Sequence, residues 1–504
     1  MACKSNKIDS NITGLRIAEE ECPRQLPTNP TWYGMEPNSY NDFGGQLTTV
    51  SREPISPSRQ KTKGTVTDLE ASGGFNQDLT MTNALWLLQG FMFTTAREKK
   101  TTRPMNAAPI AITGIAAATK EFKGTALPVF KKGNIVKASG FKTLANNGAF
   151  EVAADSSATS LVVTGIVADE TPSGDYTVQQ VGHKFEDGKV SAALNGKLFR
   201  LVGATGVDMT TSNLIPGEWI YIGGEGVNEK FDFHGFARIS SITSGYIEFD
   251  KTAFTPKAQA GTGKTICVYF GTVLKNENDP ELIKKRSYQL ERYLGNDANG
   301  KMSEYLVGAF PNEFTLTVNQ ADKITYDMSF VAMDNEQRDG SQGLKAGSRP
   351  ALAAEEAINT SSDFSRIKMS TVGEDANPEP LFAFVTELTL TINNNVSAAK
   401  AIANLGAIDT NVGMFDVGGK TTAYFASMEA VKAVRNNADV TIDAIVVKSG
   451  QGLLWDIPLL TLGDGRVSVE KDSAVTIPLD TNAVEGKFGH TLLFMYFPYL
   501  PNIA

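Results

Sequence analysis

Cysteine and histidine are scarce in this sequence, and their positions exclude several kinds of site. Three of each occur among the 504 residues, namely Cys3, Cys22, Cys267, His183, His234 and His490. No two of them lie at the spacing of zinc ligands, and three scattered cysteines do not form a disulfide framework. We therefore predict no metal site, no cofactor and no histidine-based catalytic group. The histidines are expected at the surface, and reducing cytoplasm is the expected place of folding.

Net positive charge and long apolar segments are also missing. Lys and Arg number 47 against 56 Asp and Glu, a formal charge of −9, which argues against a protein that binds nucleic acid by neutralising its phosphates. The segment nearest to a membrane span, TLLFMYFPYL, is interrupted by Pro498 and is shorter than the roughly 20 residues that cross a bilayer. The N-terminal MACKSNKIDSNITG lacks the apolar core of a signal peptide. We expect no membrane span.

The composition that remains favours β structure in several domains. Glycine occurs 46 times, which is typical of a chain with many tight turns. A chain of 504 residues is longer than one hydrophobic core usually organises. Two to four domains are therefore expected.

Residues 1–44 show no periodic pattern and are rich in Pro and Asn, which predicts an extended N-terminal arm. Within PTWYGMEPNSYNDFGG lie Trp32, Tyr33 and Tyr40. Three aromatic side chains are poorly hidden on a free arm, so we expect them to dock on the same chain or on a neighbouring copy.

Two strand-like segments follow, separated by a long basic loop. The loop carries Arg52, Arg59, Lys61 and Lys63. It is interpreted as a contact with another subunit, with a solvated hairpin tip as the alternative. The next segment, DLTMTNALWLLQGFMF, predicts a helix of about 12 residues because its apolar residues recur at helical spacing. Thr80 or Thr82 is the candidate N-cap.

Short alternating segments punctuated by glycine fill residues 105–280. Two blocks within them are similar, and each has one glycine opening a strand and a second glycine before the next strand. These glycines are Gly133 and Gly148 in the first block, and Gly217 and Gly235 in the second. The pattern predicts two small tandem β modules.

A second repeat is more informative. FTLTVNQADKITYDMSF, residues 314–330, aligns without gaps on GRVSVEKDSAVTIPLDT, residues 465–481, so that Leu316 matches Val467 and Val318 matches Val469. Both segments read as two alternating strands joined by a polar turn. Each is also preceded by a strand followed by a helix. In the first copy, the β modules lie between that helix and the later strands. Duplication of one unit with an insertion accounts for this arrangement.

The segment AQAGTGKT, residues 258–265, matches a loose phosphate-loop pattern. Such a loop works when it opens a helix, but the β-branched and aromatic ICVYFGTVL follows here. The segment is therefore interpreted as a turn between strands and not as a nucleotide site.

Two separated regions resemble the major tail tube proteins of long-tailed bacteriophages. In the first, SREPISPSRQKTKGTVTDLEASGGFNQDLT with its following helix, SYQLERYLG from Ser287 and SEYLVGAFPNEFTLTV from Ser303 carry the resemblance. In the second, FVTELTLTINNNVSAAKAIANLGAIDTNVGMFDVGGKTTAYF, residues 384–425, carries it. The resemblance covers residues 45–110 and 280–490.

The resemblance implies β-sandwich domains that pair their inner sheets edge to edge into a closed barrel around a DNA channel. Two units per chain then imply a trimer that imitates six units, in preference to a hexamer. The implied partners are further copies of the chain and the tape measure, distal tail and tail terminator proteins, with DNA passing through the lumen without specific binding. An acidic wall lets DNA slide. The candidate lumen residues are Asp68, Glu70, Asp327, Glu470 and Asp480, with the outer surface as the alternative.

We thus predict a mainly β protein with two tail-tube-type β-sandwich units, each with a flanking helix, and an inserted pair of small β modules. The predicted parts are an arm (1–44), a first tube domain (45–104 and 281–345), an outward insertion (105–280), a linker (346–379) and a second tube domain with a tail (380–504). The predicted function is a non-enzymatic tail tube subunit, made in the host bacterial cytoplasm and stacked in rings for DNA ejection. The alternatives are an interaction or adhesin protein of the virion surface and a nucleotide-binding enzyme.

Overall fold

A computed structural model describes residues 7–55, 57, 60–97, 112–171, 176–297, 300–352 and 354–502. Antiparallel strands dominate this part of the chain, and the segment before the insertion contains four strands and one helix. They are β1 (Gly14–Glu19), β2 (Tyr33–Met35), β3 (Pro37–Val50), β4 (Thr65–Asp78) and α1 (Leu85–Phe91).

The inserted segment consists of short strands. They are β5 (Ile112–Ala116), β6 (Glu121–Gly124), β7 (Asn134–Ser139), β8 (Gly148–Glu151), β9 (Ser160–Val162), β10 (Thr177–Lys184), β11 (Val190–Asn195), β12 (Leu198–Gly203), β13 (Trp219–Ile222), β14 (Gly235–Ile242), β15 (Tyr246–Thr252), β16 (Cys267–Tyr269) and β17 (Thr272–Lys275). Most of them belong to a nine-stranded sheet and three to a smaller one. The four repeat glycines all have positive φ, with Gly133 at 80° matching Gly217 at 91°, and with Gly148 and Gly235 both at 138°.

The remainder of the chain holds the longest strands and the second helix. They are β18 (Tyr288–Asn296), β19 (Lys301–Asn319), β20 (Thr325–Ala332), β21 (Asp334–Arg338), β22 (Phe364–Thr371), β23 (Val385–Asn393), β24 (Ser397–Lys400), β25 (Ala407–Asn411), β26 (Asp416–Tyr424), α2 (Glu429–Arg435), β27 (Val440–Lys448), β28 (Gln451–Asp464), β29 (Thr476–Ala483) and β30 (Leu493–Phe497).

Eight strands form one continuous antiparallel path, which we name the inner sheet. Their order is β3-β4-β20-β19-β23-β26-β29-β28. The first halves of β19 and β28 leave this path and pair in two outer sheets, β2-β1-β18-β19-β21 and β22-β27-β28-β30-β17. Each long strand is therefore shared by two packed layers, with the hydrophobic core between them.

The two units correspond strand by strand. The neighbours β3-β4-β20-β19 of the first unit repeat as β23-β26-β29-β28 in the second, and β1-β18-β19-β21 repeat as β22-β27-β28-β30. The bridge Ser468–Thr476 reproduces the pair Thr317–Thr325 that the sequence repeat aligns. Closer to β28, the pairing with β29 is shifted by one residue relative to the first unit, because Asp464 and Gly465 have positive φ and form a bulge. The predicted fold class is confirmed.

The insertion leaves the first unit after α1 but packs on the outer sheet of the second. Trp219 of β13 and Phe236 of β14 are buried against Leu454, Leu493 and Phe497. Strand β17 pairs with β30 and so adds directly to that outer sheet. This docking places the insertion on the side of the sandwich away from the inner sheet.

Buried charges join the same two parts. Arg238 of β14 donates to Asp250 (3.0 Å) and to Asp456 of β28 (3.1 Å). Beside it, Lys251 of β15 lies 2.5 Å from Asp443 of β27. None of these five side chains is more than 6% exposed. Because a buried charge is costly without an opposite partner, this cluster fixes the insertion in one position on the second unit.

The predicted boundaries do not coincide with the boundaries of the strands. The segment predicted as an arm contains β1 and β2, and β1 pairs along its whole length with β18. The segment predicted as a linker contains β22, which occupies the equivalent place beside β27. Strands β1 and β2 are short, and the burial of β22 does not alternate, so neither segment has a clear period-2 pattern.

The helix α1 is shorter than predicted and is capped differently. It spans seven residues, all buried, and neither Thr80 nor Thr82 is its N-cap. Instead, both hydroxyls donate to the Glu355 carboxylate, at 2.5 Å and 2.6 Å, and the Thr82 N–H also donates to it at 3.2 Å. Glu355 therefore fixes the turn that leads into the helix.

Replacing Glu355 with alanine should lower the free energy of unfolding by about 1–2 kcal/mol, because three charge-assisted hydrogen bonds are lost. Urea unfolding followed by tryptophan fluorescence measures this change. Glu356→Ala is the matched control, since the Glu356 side chain is 88% exposed, and a change within about 0.5 kcal/mol is expected. Equal effects of the two substitutions would contradict the role of Glu355.

Candidate functional site

The inner sheet presents a polar face opposite the core. Side chains alternate along each strand, so that Tyr326, Met328 and Phe330 of β20 are buried while Asp327 between them is not. The registers of neighbouring strands continue this face across both units. It carries Glu70, Ser72, Asn76, Thr325, Asp327, Thr315, Thr317, Glu387, Thr389, Thr391, Lys420, Thr422, Asp480 and Asn482. The face is therefore rich in threonine and acid.

The five acids predicted for the lumen are distributed as follows. Asp68, Glu70, Asp327 and Asp480 lie on strands of the inner sheet and on its polar face. Asp327 accepts hydrogen bonds from two asparagine side chains of β3 and β4. Glu470 is exposed in the segment that follows β28. The structure thus brings four of these residues onto one surface.

Part of this acidity is neutralised within the chain. Lys400, at the end of β24, contacts Asp68 and lies 3.1 Å from Glu70. The hydrogen bond from Lys400 holds the pKa of Asp68 below its usual range, and the two carboxylates raise the pKa of Lys400. Asp480 lies opposite Lys420 in the register of β26 and β29. The face remains more acidic than basic.

The inner sheet has an open edge at each end. Strand β3 pairs on one side with β4, and its other side has no partner among the described strands. At the far end, residues 465–470 continue β28 and contact β29 through the bridge Ser468–Thr476 and through the Gly465 N–H, which donates to the Pro478 carbonyl. The outward edge of that segment is likewise unpaired within the described part of the chain. Unpaired edges of this length are templates for pairing with another chain.

Exposed apolar side chains mark the second edge. In the first unit, Leu316 and Val318 are 1% and 5% exposed and lie opposite Leu390 and Leu388 of β23. Their aligned residues in the second unit, Val467 and Val469, are 36% and 74% exposed. The first pair is covered because β23 continues the sheet there. No described strand continues it beside the second pair.

The basic loop lies between β3 and β4. Arg52, Lys61 and Lys63 are exposed, whereas Arg59 lies outside the described residues. The same hairpin exposes Leu47, Val50 and Ile55, at 54%, 59% and 108%. This combination of charge and exposed apolar surface extends beyond the body of the first unit.

The three aromatic residues of the predicted arm pack on the same chain. Trp32 is fully buried, lies edge-on to Tyr305 at 5.7 Å and donates from Nε1 to the Ala346 carbonyl. Tyr33 packs on Trp86 of α1 at 4.9 Å, and Tyr40 packs on Phe43. They hold the N-terminal strands against the first unit.

The phosphate-loop-like segment and one histidine differ in how far the structure follows the sequence expectation. Residues 258–265 form a turn between β15 and β16 without a following helix, and Lys264 lies near Asp232. His490 is 1% exposed and burial lowers its pKa to about 3, so the expectation of a surface histidine is wrong for this residue. Its neighbours Phe488 and the insertion's Gly217 enclose it. Within the residues that the structure describes, no helix is long and apolar enough to cross a membrane.

The two open edges cannot be recognised as a site from single segments of the sequence. Each edge is an ordinary alternating strand, and what sets it apart is the missing neighbour, which only the sheet order reveals. The edge at residues 465–470 becomes visible when the sequence repeat is compared with burial, because Val318 is buried and the aligned Val469 is exposed.

Packed β-sheets, two open strand edges and a polar sheet face place the chain in the class of mainly β proteins. A family model described as Phage tail tube protein matches residues 10–483, and the chain belongs to that family. It is a structural component of the phage virion tail, whose family assembles into a tube. No curated protein sequence matches the chain.

Proposed function

We propose that three copies of this chain close into a ring of six units through the two open edges of the inner sheet. The observation that carries the proposal is the exposure of Val467 and Val469 where the aligned Leu316 and Val318 are covered. Within the chain, β19 and β23 join the two units over seven paired residues, and we call this strand pairing the joint. The same joint, repeated between copies, covers the valines and removes both edges.

The strand correspondence gives the register of this joint. The β19 residues that pair with β23 correspond to residues 464–470 of the second unit. The β23 residues correspond, through β4 and β26, to residues 39–46 of β3, which contain one extra residue between Asn41 and Gly44. We therefore pair residues 464–470 of one copy with residues 39–46 of the next, antiparallel, as in the joint within the chain.

In this arrangement the polar face of the inner sheet lines the lumen, and the insertion decorates the outside. An acidic, threonine-rich wall repels the DNA phosphates, and DNA gains no affinity for this wall through counterion release. DNA therefore passes without being held during ejection. The β3–β4 loop with Arg52, Lys61 and Lys63 extends from the ring and contacts the next one in the stack. The tape measure, distal tail and tail terminator proteins are the further partners, and the subunit is made in the host bacterial cytoplasm.

The ring symmetry tests the proposal directly. Each chain has two tube units but one insertion, so end-on views of assembled rings in negative-stain microscopy should show three outer protrusions around an open channel. Six protrusions would indicate a hexamer of whole chains. Persistent monomers at high concentration, with tail components present as nuclei, would contradict ring assembly itself.

A further inference from the structure

Each unit has a hairpin at the same end of the inner sheet. In the second unit it joins β23 to β26, spans residues 394–415 and contains β24 and β25, and we name it the second-unit hairpin. In the first unit it joins β3 to β4 and spans residues 47–69, and we name it the first-unit hairpin. The pair Gln46–Glu70 corresponds to the pair Asn393–Asp416. The two hairpins therefore start and end at corresponding residues.

The second-unit hairpin packs on the first unit of the same chain. Asn394 is 1% exposed, and its side chain donates to the Pro311 carbonyl at 3.1 Å. Val396 packs beside Phe310 and Met333, and both of these residues are 4% exposed. The hairpin thus covers the surface of the neighbouring unit next to the joint of β19 and β23.

The first-unit hairpin has no such surface to cover within its own chain. Strand β4 pairs with β20 over residues 71–78 only, so that residues 47–50 and 65–69 pair with no third strand in the described part of the chain. Leu47, which corresponds to Asn394, is 54% exposed, and Val50 and Val66 are 59% and 45% exposed. Exposed apolar side chains on both strands of a two-stranded ribbon mark a contact surface.

The corresponding surface of the second unit is also exposed. Met333 directly follows β20 and Val484 directly follows β29, and both N–H groups donate to the adjacent long strand, β19 or β28. The two residues occupy the same place, yet Met333 is 4% exposed and Val484 is 38% exposed. Counting along β4 and β26 from their paired residues, Met414 takes the place of Asp68, and Met414 is 76% exposed. The surface that a hairpin covers on the first unit is thus uncovered and apolar on the second.

We propose that the first-unit hairpin of each copy packs on the second unit of the copy whose residues 464–470 pair with its β3. In this contact Leu47 and Val50 cover Val484 and Met414. The inference rests on the proposed closure of the ring, because the occupant is a second copy held in the register of the joint. The contact continues that interface beyond the paired strands and buries apolar side chains on both copies.

Cross-linking between copies tests which surfaces meet. Thr49→Cys and Val484→Cys are made in separate chains, and the two variants are mixed before assembly. Because Thr49 corresponds to Val396, which packs beside Met333, a short bismaleimide should join the mixed chains into covalent dimers. Denaturing electrophoresis and mass spectrometry of the linked peptides measure the product.

The controls separate this contact from random collision. Both variants also carry Cys3→Ser and Cys22→Ser, which leave one buried native cysteine. Either variant alone should give no linked dimer. A mixture of Thr49→Cys with Val227→Cys should give none either, because Val227 is 80% exposed but lies on the insertion.

Charge substitution measures how much the contact contributes to assembly. Leu47→Asp and Val484→Asp should each raise the concentration needed for ring assembly at least about tenfold, because a covered carboxylate has no partner there. Thermal unfolding should stay close to that of the parent chain, since both side chains are exposed in the single chain. Ile166→Asp is the matched control, because Ile166 is 83% exposed on the insertion, and it should assemble like the parent.

Two outcomes overturn the inference while ring closure stands. One is that rings form but the mixed cysteine variants give no linked dimer, and this result decides if an aspartate variant fails to fold. The other is that Leu47→Asp and Val484→Asp, both folded, assemble at the concentration of the parent chain. If the parent chain forms no rings at all, the proposed assembly fails together with this contact.

Discussion

Replacing Asp443 with asparagine should lower the free energy of unfolding by about 3–5 kcal/mol. Asp443 is fully buried and lies 2.5 Å from Lys251 and 2.6 Å from Arg366. Burial disfavours its charged form, but these two cations outweigh burial and hold the pKa of Asp443 below its usual range. The carboxylate is therefore ionised at neutral pH. Its loss leaves Lys251, which is 2% exposed, without the charge that lies against it.

The measurement is urea unfolding followed by tryptophan fluorescence, with attention to whether the insertion and the second unit still unfold together. Because Asp443 belongs to the second unit and Lys251 to the insertion, loss of the pair should also separate the two transitions. Asp439→Asn is the matched control, since Asp439 is exposed just before β27, and it should change stability by less than about 0.5 kcal/mol. Equal effects of the two substitutions would show that the cluster contributes nothing beyond packing.

This cluster also shows what the sequence could not predict. Arg238 and Asp456 are separated by 218 positions, and neither lies in a recognisable motif. The sequence indicates that an insertion interrupts the first unit, because the repeat pattern breaks there. It contains no local sign that the insertion packs on the second unit, since that contact depends on which strands of the two parts become neighbours in space.

The duplication, by contrast, could be predicted, because both copies have the same local pattern of apolar and polar residues. Alternation in residues 314–330 reflects one buried face on each strand, and the same alternation and spacing recur in residues 465–481, although Val467 and Val469 are exposed there. The same logic failed for α1, where apolar residues at helical spacing extend beyond the seven helical residues. All seven residues of that helix are buried, so tertiary contacts and the Glu355 carboxylate decide where it begins.

The polar face was predictable in part for a related reason. Asp68, Glu70, Asp327 and Asp480 lie on strands whose other face is apolar, so alternation alone places them away from the core. Lys400 was not expected beside two of them, because it reaches Asp68 and Glu70 from a hairpin of the second unit. A charge estimate from isolated strands therefore overstates the acidity of this face.

Placing aspartate at both Val467 and Val469 should abolish ring assembly while leaving the fold of the chain intact. Both side chains are already exposed in the single chain, at 36% and 74%, so stability should change by less than about 1 kcal/mol. In the proposed joint they are covered by β3 of the next copy, where a carboxylate has no partner. The concentration needed for assembly should rise at least about 100-fold, which corresponds to a loss of roughly 2.7 kcal/mol.

The backbone of the same edge can be tested separately. Ser468 donates to Thr476 and accepts from it, at 2.8 Å and 3.2 Å, so the N–H groups of Val467 and Val469 point away from β29. Val469→Pro removes one of these outward donors while keeping an apolar side chain, and it should weaken assembly without disturbing the bridge to Thr476.

Sedimentation velocity over a range of concentrations, with negative-stain microscopy of the same samples, measures both effects. Val227→Asp is the matched control, because Val227 is 80% exposed on the insertion and lies away from the proposed joint, so this variant should assemble like the parent chain. If the control and the double variant form rings at the same concentration, the open edge at residues 464–470 does not close the ring. A variant that remains monomeric but folded, beside a control that assembles, is the outcome that the exposed valines predict.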